Sequence, residues 1–466
     1  MRRFFIGCVI LALSWCARAD EGEQNADETV RVAREVAQEF QGDPMPERFS
    51  FSLDQILQRV LKDNLEIRQA KQTLEKAAGE KLIFRARALP KLSVYPSAGR
   101  QGHRNETKGA WYAVAGGRFS QPLFEAGIPA SWRAGDLGEL IARQNLHAIV
   151  VAQLHAARLA FYDALFQRAL ILLNKQLGKR LATNLSNEQH RMQAGLSAKG
   201  RVIQAEIQKL NLEPQTAEAE AHYRAAILQT AVLLGMDLGP DCKENLFLRG
   251  PLDYQPIDVQ LAEESRYALG HRPDLELFHL FIQNAGEQRK MAEAGFFPVV
   301  QLVVDGEYLP KKNFKSNTSN SARSSDDTRN SEVRFGGTLT WRVVDTGVTG
   351  GAVMRAQKVK EDYEILLKQM EENVPRDLSR VAHQLKAEQA RIEALQKAVA
   401  VAEENLKLVE EQVKLGQSSQ LDFLQAQTSL FETKFNMLEG LYRHNVALAE
   451  LDRVTGRYLQ YAEMKN

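Results

Sequence analysis

Val333-Arg334-Phe335-Gly336-Gly337-Thr338-Leu339-Thr340-Trp341-Arg342-Val343 alternates with a period of two. Its odd positions are Val, Phe, Gly, Leu, Trp and Val, and its even positions are Arg, Gly, Thr, Thr and Arg. An extended chain sends successive side chains to opposite faces, so the pattern predicts a strand with one apolar and one wet face. Each half of the chain offers one such hairpin, about 90–122 and about 298–344. An apolar outer face and a polar inner face is the transmembrane-barrel pattern, and strands of about 9–11 residues cross a bilayer on a tilt. Four strands cannot close a barrel, since the small ones need about eight, and an open edge in lipid leaves backbone groups unpaired at several kcal/mol each. Embedded in a membrane, the sheet closes only by oligomerisation. Three chains with cyclic symmetry would supply twelve strands. Trp111, Tyr112, Tyr308 and Trp341 suit an aromatic girdle. The periodicity alone also fits two soluble hairpins capping helical domains.

Around the hairpins the sequence repeats itself. At an offset of 208 residues, Leu53-Asp54-Gln55 meets Leu261-Ala262-Glu263, Leu65-Glu66-Ile67 meets Pro273-Asp274-Leu275, and Leu89-Pro90 meets Phe297-Pro298. At 220, Gly116-Gly117 meets Gly336-Gly337, and Phe124-Glu125-Ala126-Gly127 meets Val344-Asp345-Thr346-Gly347. At 221, Ala194-Gly195 meets Leu415-Gly416 and Gly235 meets Gly456. Such self-similarity predicts two copies of one unit, 51–236 and 260–456, joined by an irregular linker at 237–259. The growth of the offset from 208 to 220 places an insertion at Lys311 to Glu332, whose Ser, Asn and Arg content reads as an exposed loop.

Each copy opens with an amphipathic helix, roughly 53–88 and 260–295, ended by Pro90 or Pro298 because proline disfavours helix at the residue before it. After the hairpin comes a long helix, roughly 130–193 and 349–413. In the second copy Leu378, Val381, Leu385, Ile392, Leu395, Val399, Ala402, Leu406, Val409 and Val413 recur at three-and-four spacing, with Glu388 the one break. That period is a coiled-coil seam. At ~1.5 Å per residue such a helix reaches on the order of 100 Å, less any break at Pro375. Turns at 194–197 and 415–418 reverse the chain into helices at roughly 198–234 and 418–455.

The compartment is read from the N-terminus. Arg2-Arg3, an apolar run from Phe4 to Leu13 and Ala17-Arg18-Ala19 form a signal peptide over residues 1–19, cut before Asp20. Residues 20–50 form an extension, and 457–466 a tail. Cys16 invites a lipoprotein reading, but Trp15 before it fits that processing poorly. Cleavage leaves Cys242 alone, so there is no intramolecular disulfide framework and no Cys-based metal site. Sixty Lys and Arg against fifty-nine Asp and Glu leave a net charge of +1, which gives no reason to expect nucleic acid as partner. The one continuously apolar stretch is near residue 4, which excludes a polytopic helical membrane protein. GxxxxGK[ST], HExxH and strand–GxGxxG–helix signatures are absent, and the nine histidines are scattered without an i,i+4 pair. The sequence therefore predicts neither an enzyme nor a bound metal or cofactor.

The duplicated order of helix, hairpin, long helix, turn and helix resembles the TolC-type outer-membrane efflux proteins. Gln121-Pro122-Leu123-Phe124-Glu125-Ala126-Gly127 is similar to that family's exit from the second strand. The stretch from Gln412-Val413-Lys414-Leu415-Gly416-Gln417 to Gln427 is similar to its second helical tip, and Arg191 to Glu206 to its first. The resemblance implies a mainly α chain with transmembrane β structure: a long coiled-coil α-helical barrel in the periplasm and a β-barrel in the outer membrane, closed by a homotrimer with four strands per chain. It implies a duct without chemistry of its own, partnered by outer-membrane lipid, a periplasmic adaptor and an inner-membrane transporter. The same scaffold serves type I protein secretion. A periplasmic coiled-coil tether shares the helical hairpins but lacks two matched strand hairpins.

By the same resemblance the entrance closes near the helical tips, where acidic residues ring the pore. The matching position is Asp422, six residues after Gly416. One turn later, where some relatives carry a second acid, stands Gln425, which weakens the ring. Arg201 holds the equivalent place in the first copy, so Arg201 and Asp422 are expected to pair across the gate. The exposed turns at Gly195-Leu196 and Gly416-Gln417 are expected to meet the adaptor. Arg118, Arg334 and Arg342 on the wet strand face are expected to line the barrel and favour anions. Each has a plainer reading, as solvated charge or turn chemistry.

Overall fold

The computed structural model describes residues 50–101, 110–236, 246–308 and 331–458. The expected signal peptide, nearly all of the 20–50 extension, Cys16, Cys242, residues 237–245 of the linker, most of the Lys311–Glu332 loop and the end of the tail lie outside these residues, as do the side chains of Trp111 and Tyr112. The elements run β1 (Ser50–Phe51), α1 (Leu53–Asp63), α2 (Leu65–Ala86), β2 (Lys91–Gln101), β3 (Ala110–Phe124), α3 (Ile128–Gln193) and α4 (Lys199–Leu233). The second half continues with β4 (Phe247–Leu248), α5 (Leu261–His271), α6 (Pro273–Glu293), β5 (Val299–Tyr308), β6 (Ser331–Thr340), α7 (Val348–Lys414) and α8 (Gln420–Thr455). The order of long elements in the first half recurs in the second. Two compact units divide the chain: one holds residues 71–145 and 274–369, the other the remainder.

The single opening helix expected in each copy is two helices. The breaks fall at Asn64 and Arg272, equivalent at the 208 offset, and different chemistry makes each. Pro273 stands at the first position of α6 and pushes Arg272 into extended backbone (ψ 123°). Asn64 is extended too (ψ 131°). Its Oδ1 accepts from the Ile67 backbone N–H at 3.0 Å, capping α2, while its Nδ2 donates to the Leu233 carbonyl at 2.9 Å. Gly235 and Gly456 pack against these breaks: a Cβ would lie 2.4 Å from the Asp63 carbonyl oxygen in one case and 3.0 Å from that of His271 in the other. A side chain at either place would force the helix ends apart.

In the larger unit the seam read in α7 packs against α8. Leu378, Val381 and Leu385 meet Ala447, Leu448, Leu451 and Val454, and further along Ile392 and Val399 join Met437, Leu438 and Leu441. Gly440 lets the two helices close up beside Ile392. Toward the tip Leu406, Val409 and Val413 are only half-buried. α7 continues through Pro375 without ending. α3 carries one window long and apolar enough to cross a membrane, but over half of it is buried, with Leu154, Ala157, Phe161 and Ala164 in the core.

In the smaller unit β2-β3-β5-β6 form one antiparallel sheet, so β3 of the first hairpin pairs with β5 of the second. The helical segments below are joined in the same order. Lys81 of α2 bonds Glu139 of α3 at 2.8 Å, Arg133 of α3 bonds Glu287 of α6 at 2.9 Å, and Arg289 of α6 donates to Gln357 of α7 at 3.0 Å. The side-by-side arrangement of the strands thus carries straight into the helices.

Candidate channel site

Paired residues in an antiparallel ladder share a face, so the register fixes what each side of the sheet presents. One row reads Leu92–Phe119–Val304–Phe335, the next Val94–Gly117–Gly306–Val333. Leu92 and Phe335 are 73% and 75% exposed, an apolar face without a partner among the described residues. The opposite face reads Ser93–Arg118–Asp305–Arg334 and then Tyr95–Gly116–Glu307–Glu332.

Arg118 and Arg334 therefore stand in one row of the polar face. Neither is a bare cation: Arg118 Nε donates to Asp305 at 2.6 Å, across the junction between the hairpins, and Arg334 Nε donates to Glu332 at 2.8 Å. Two arginines against Asp305, Glu307 and Glu332 leave these two rows without net positive charge, so the anion preference expected from the arginines does not follow. Arg342 departs further. β6 ends at Thr340, because Trp341 Nε1 donates to the Phe296 carbonyl at 3.1 Å and Asp345 caps α7 through the Gly347 and Thr349 backbone N–H groups (3.1 and 2.7 Å). The alternation continues in the sequence past the strand that made it meaningful, and Arg342 lies on an exposed connection.

The two tips share one backbone. Gly195 and Gly416 sit at φ 76° and 75°, a left-handed conformation that glycine adopts without cost. Leu196 N–H reaches the Arg191 carbonyl at 2.8 Å, and Gln417 N–H the Gln412 carbonyl at 2.8 Å. Each is the 6→1 bond of a Schellman turn. Leu196 and Gln417 are exposed.

Beyond the turns the two helical hairpins diverge. At α8, Ser419 and Asp422 form a capping box: Ser419 Oγ accepts from Asp422 N–H at 3.2 Å, and Asp422 Oδ2 accepts from Ser419 N–H at 2.8 Å. These bonds hold the Asp422 carboxyl below its usual pKa. At α4 the equivalent residues are Ala198 and Arg201, and no side chain caps the helix. Within the chain Asp422 is thus engaged by Ser419, and it forms no ion pair with Arg201. Arg201 lines a small cavity with Asn184, Glu188, Gln208, Ser419 and Gln420. Gln425, one turn beyond Asp422, is exposed. Glu188 escaped the sequence reading; the signal was its place opposite Val409 at the 221 offset, where a seam residue belongs.

A sheet with one apolar and one charged face, side-by-side long helices and two tips of the same backbone resemble the outer-membrane channel proteins of the TolC type. Comparison with known proteins agrees: the family described as Outer membrane efflux protein matches over residues 265–457. Nodulation protein T of Rhizobium leguminosarum bv. trifolii is 24% identical over 416 residues, 84% of this chain and 82% of its own. The fold is shared with the Campylobacter jejuni CmeC outer membrane channel (TM-score 0.74, 15% identity, 87% of this chain and 85% of that one). It is shared equally with VceC of Vibrio cholerae (TM-score 0.71, 18% identity, 87% and 96%). The resemblance read in the sequence holds, and with it an outer-membrane location with a large periplasmic helical portion. The matched family and structures are channel proteins rather than enzymes.

Proposed function

We propose that the protein is the outer-membrane exit duct of a tripartite efflux pump, receiving substrate from an inner-membrane transporter through a periplasmic adaptor. The observation that carries this reading is the sheet. Its apolar face needs lipid, its polar face needs water, and among the described residues β2 and β6 each keep one unpaired edge. An edge left open in hydrocarbon costs several kcal/mol per unpaired group, so β6 of one chain pairs with β2 of the next until three chains close a barrel. Arg118 and Arg334 then face the lumen together with their acidic partners. The exposed tips at Gly195-Leu196 and Gly416-Gln417 are the docking points for the adaptor, and Arg201, Asp422 and Gln425 stand at the entrance. The amphipathic sheet disfavours a soluble tether, which has no use for an apolar face.

Membrane fractionation followed by the mass of the detergent-extracted assembly tests this. A trimer in the outer membrane is expected. A monomer or a soluble periplasmic species would overturn the reading.

A further inference from the structure

The cavity at the first tip contains a buried charge that packing does not require. Glu188 of α3 is 3% exposed. Its Oε2 accepts from Ser197 Oγ at 2.5 Å, tying the turn back to the helix, but its Oε1 has no hydrogen-bond partner. The nearest cation is Arg191 Nη1 at 3.7 Å, beyond hydrogen-bonding range. Gln208 Oε1 and the Nδ2 of Asn184, itself 5% exposed, are likewise buried without partners, and all three residues line one cavity of about 130 Å³. An unmet buried carboxylate oxygen costs more than an unmet neutral group. The equivalent position in the second copy is Val409, so an apolar residue satisfies the same seam. Glu188 therefore has a task other than packing.

Arg201 lines the same cavity from α4, exposed and without an ion pair. We propose that the cavity is a receptor for a guanidinium group, and that Arg201 fills it in a second arrangement of the tip. A guanidinium is a planar fork of five donors, able to serve Glu188 Oε1 and Gln208 Oε1 together while Asn184 Nδ2 is left to water. The volume holds several waters at about 30 Å³ each, which is room for the group. Because Glu188 also holds Ser197, seating Arg201 there locks the turn and the return helix to α3, which Gln420 of α8 already meets through Asn184 at 3.2 Å. Releasing it frees the tip. The partner that restrains Arg201 is thus Glu188 in its own hairpin, and Asp422 remains the cap of α8.

The inference takes its functional readout from the duct reading, so the test has two arms. In planar bilayers the purified full-length protein, Glu188→Gln and Arg201→Ala are compared, each with and without millimolar ethylguanidinium. Both variants are expected to raise the open population about tenfold, the effect of losing one charge-assisted pair. Ethylguanidinium is expected to close Arg201→Ala and leave Glu188→Gln open. Wild-type conductance with no change in either variant, or equal action of ethylguanidinium on both, would overturn the receptor. In the second arm ethylguanidinium should raise the melting temperature of Arg201→Ala and leave that of Glu188→Gln unchanged. Equal shifts would defeat the proposal even if no variant conducts, whereas unequal shifts with the wild type and both variants all silent would defeat only the duct reading.

Discussion

Phe335 and Thr338 offer the sharpest test of which face of the sheet meets lipid. They stand three residues apart in β6, a strand of ten residues, on opposite faces. Phe335 is fifth in the strand, which in the proposed barrel sets it near the bilayer midplane, and belongs to the row Leu92–Phe119–Val304–Phe335. Phe335→Lys removes a phenyl ring worth about 1.5–3 kcal/mol when taken out of water. It also inserts a charge costing about 2–4 kcal/mol at the midplane of a barrel's outer face. The sum is about 3.5–7 kcal/mol per chain, repeated in every copy around the proposed barrel. Thr338→Lys places the same charge on the face of Arg118 and Arg334, where water receives it, and should cost less than about 1 kcal/mol. Urea titration of folding into phospholipid vesicles, followed by tryptophan fluorescence, reads both variants against wild type. Equal midpoints would refute the assignment of faces. A larger loss for Thr338→Lys would invert it.

Other perturbations follow from local geometry. Asn64→Ala deletes the cap of α2 and leaves the Ile67 N–H and the Leu233 carbonyl without their partner, so thermal unfolding should show a loss of about 2–4 kcal/mol. Asn64→Asp keeps the acceptor but turns an oxygen toward the Leu233 carbonyl, and should melt no higher than the alanine variant. Ser419→Ala opens the capping box, and amide exchange should quicken in the first turn of α8 while α4 is unchanged. His155 is partly buried and His444 fully buried, and burial holds both imidazoles below their usual pKa. His155 faces Glu450, Arg158, Arg453 and Tyr458, and His444 faces Tyr254 and the Gln255 carbonyl. A depressed folded pKa means the unfolded chain binds the extra proton first. Stability is therefore full above about pH 6.5 and lost as pH falls below it. Calorimetry between pH 8 and 5 should show the melting temperature falling, and His444→Gln should flatten that slope.

What the sequence disclosed, and what it withheld, divides along the reach of the interactions. The alternation from Val333 to Leu339 is local and gave the strand its two faces. It misled at Trp341 to Val343 because a hydrogen bond to Phe296, far back in the chain, ends the ladder first. The helical tips were legible from glycine, since the left-handed turn is a property of a few adjacent residues. The break at Arg272 was readable from Pro273. The break at Asn64 was not, because asparagine announces no break until its amide finds Leu233, 169 residues on. Arg118 and Arg334 share a row of the sheet, but their counter-charges were not legible, for Asp305 reaches Arg118 only once the two hairpins share a register. Asp422 stood out as a charge near a tip; only the distances to Ser419 reveal it as a cap.

The unequal caps have a consequence in time. The two turns share a backbone, yet one launches a helix riveted by reciprocal hydrogen bonds and the other a helix whose first N–H groups are met by no side chain. The first turn of α4 has no side-chain cap to break when it unwinds, while that of α8 must break two bonds to do the same. Identical bends therefore keep different clocks. A molecule striking the tips meets at α4 a helix start that no side-chain cap restrains, and at α8 one already fixed by its capping box.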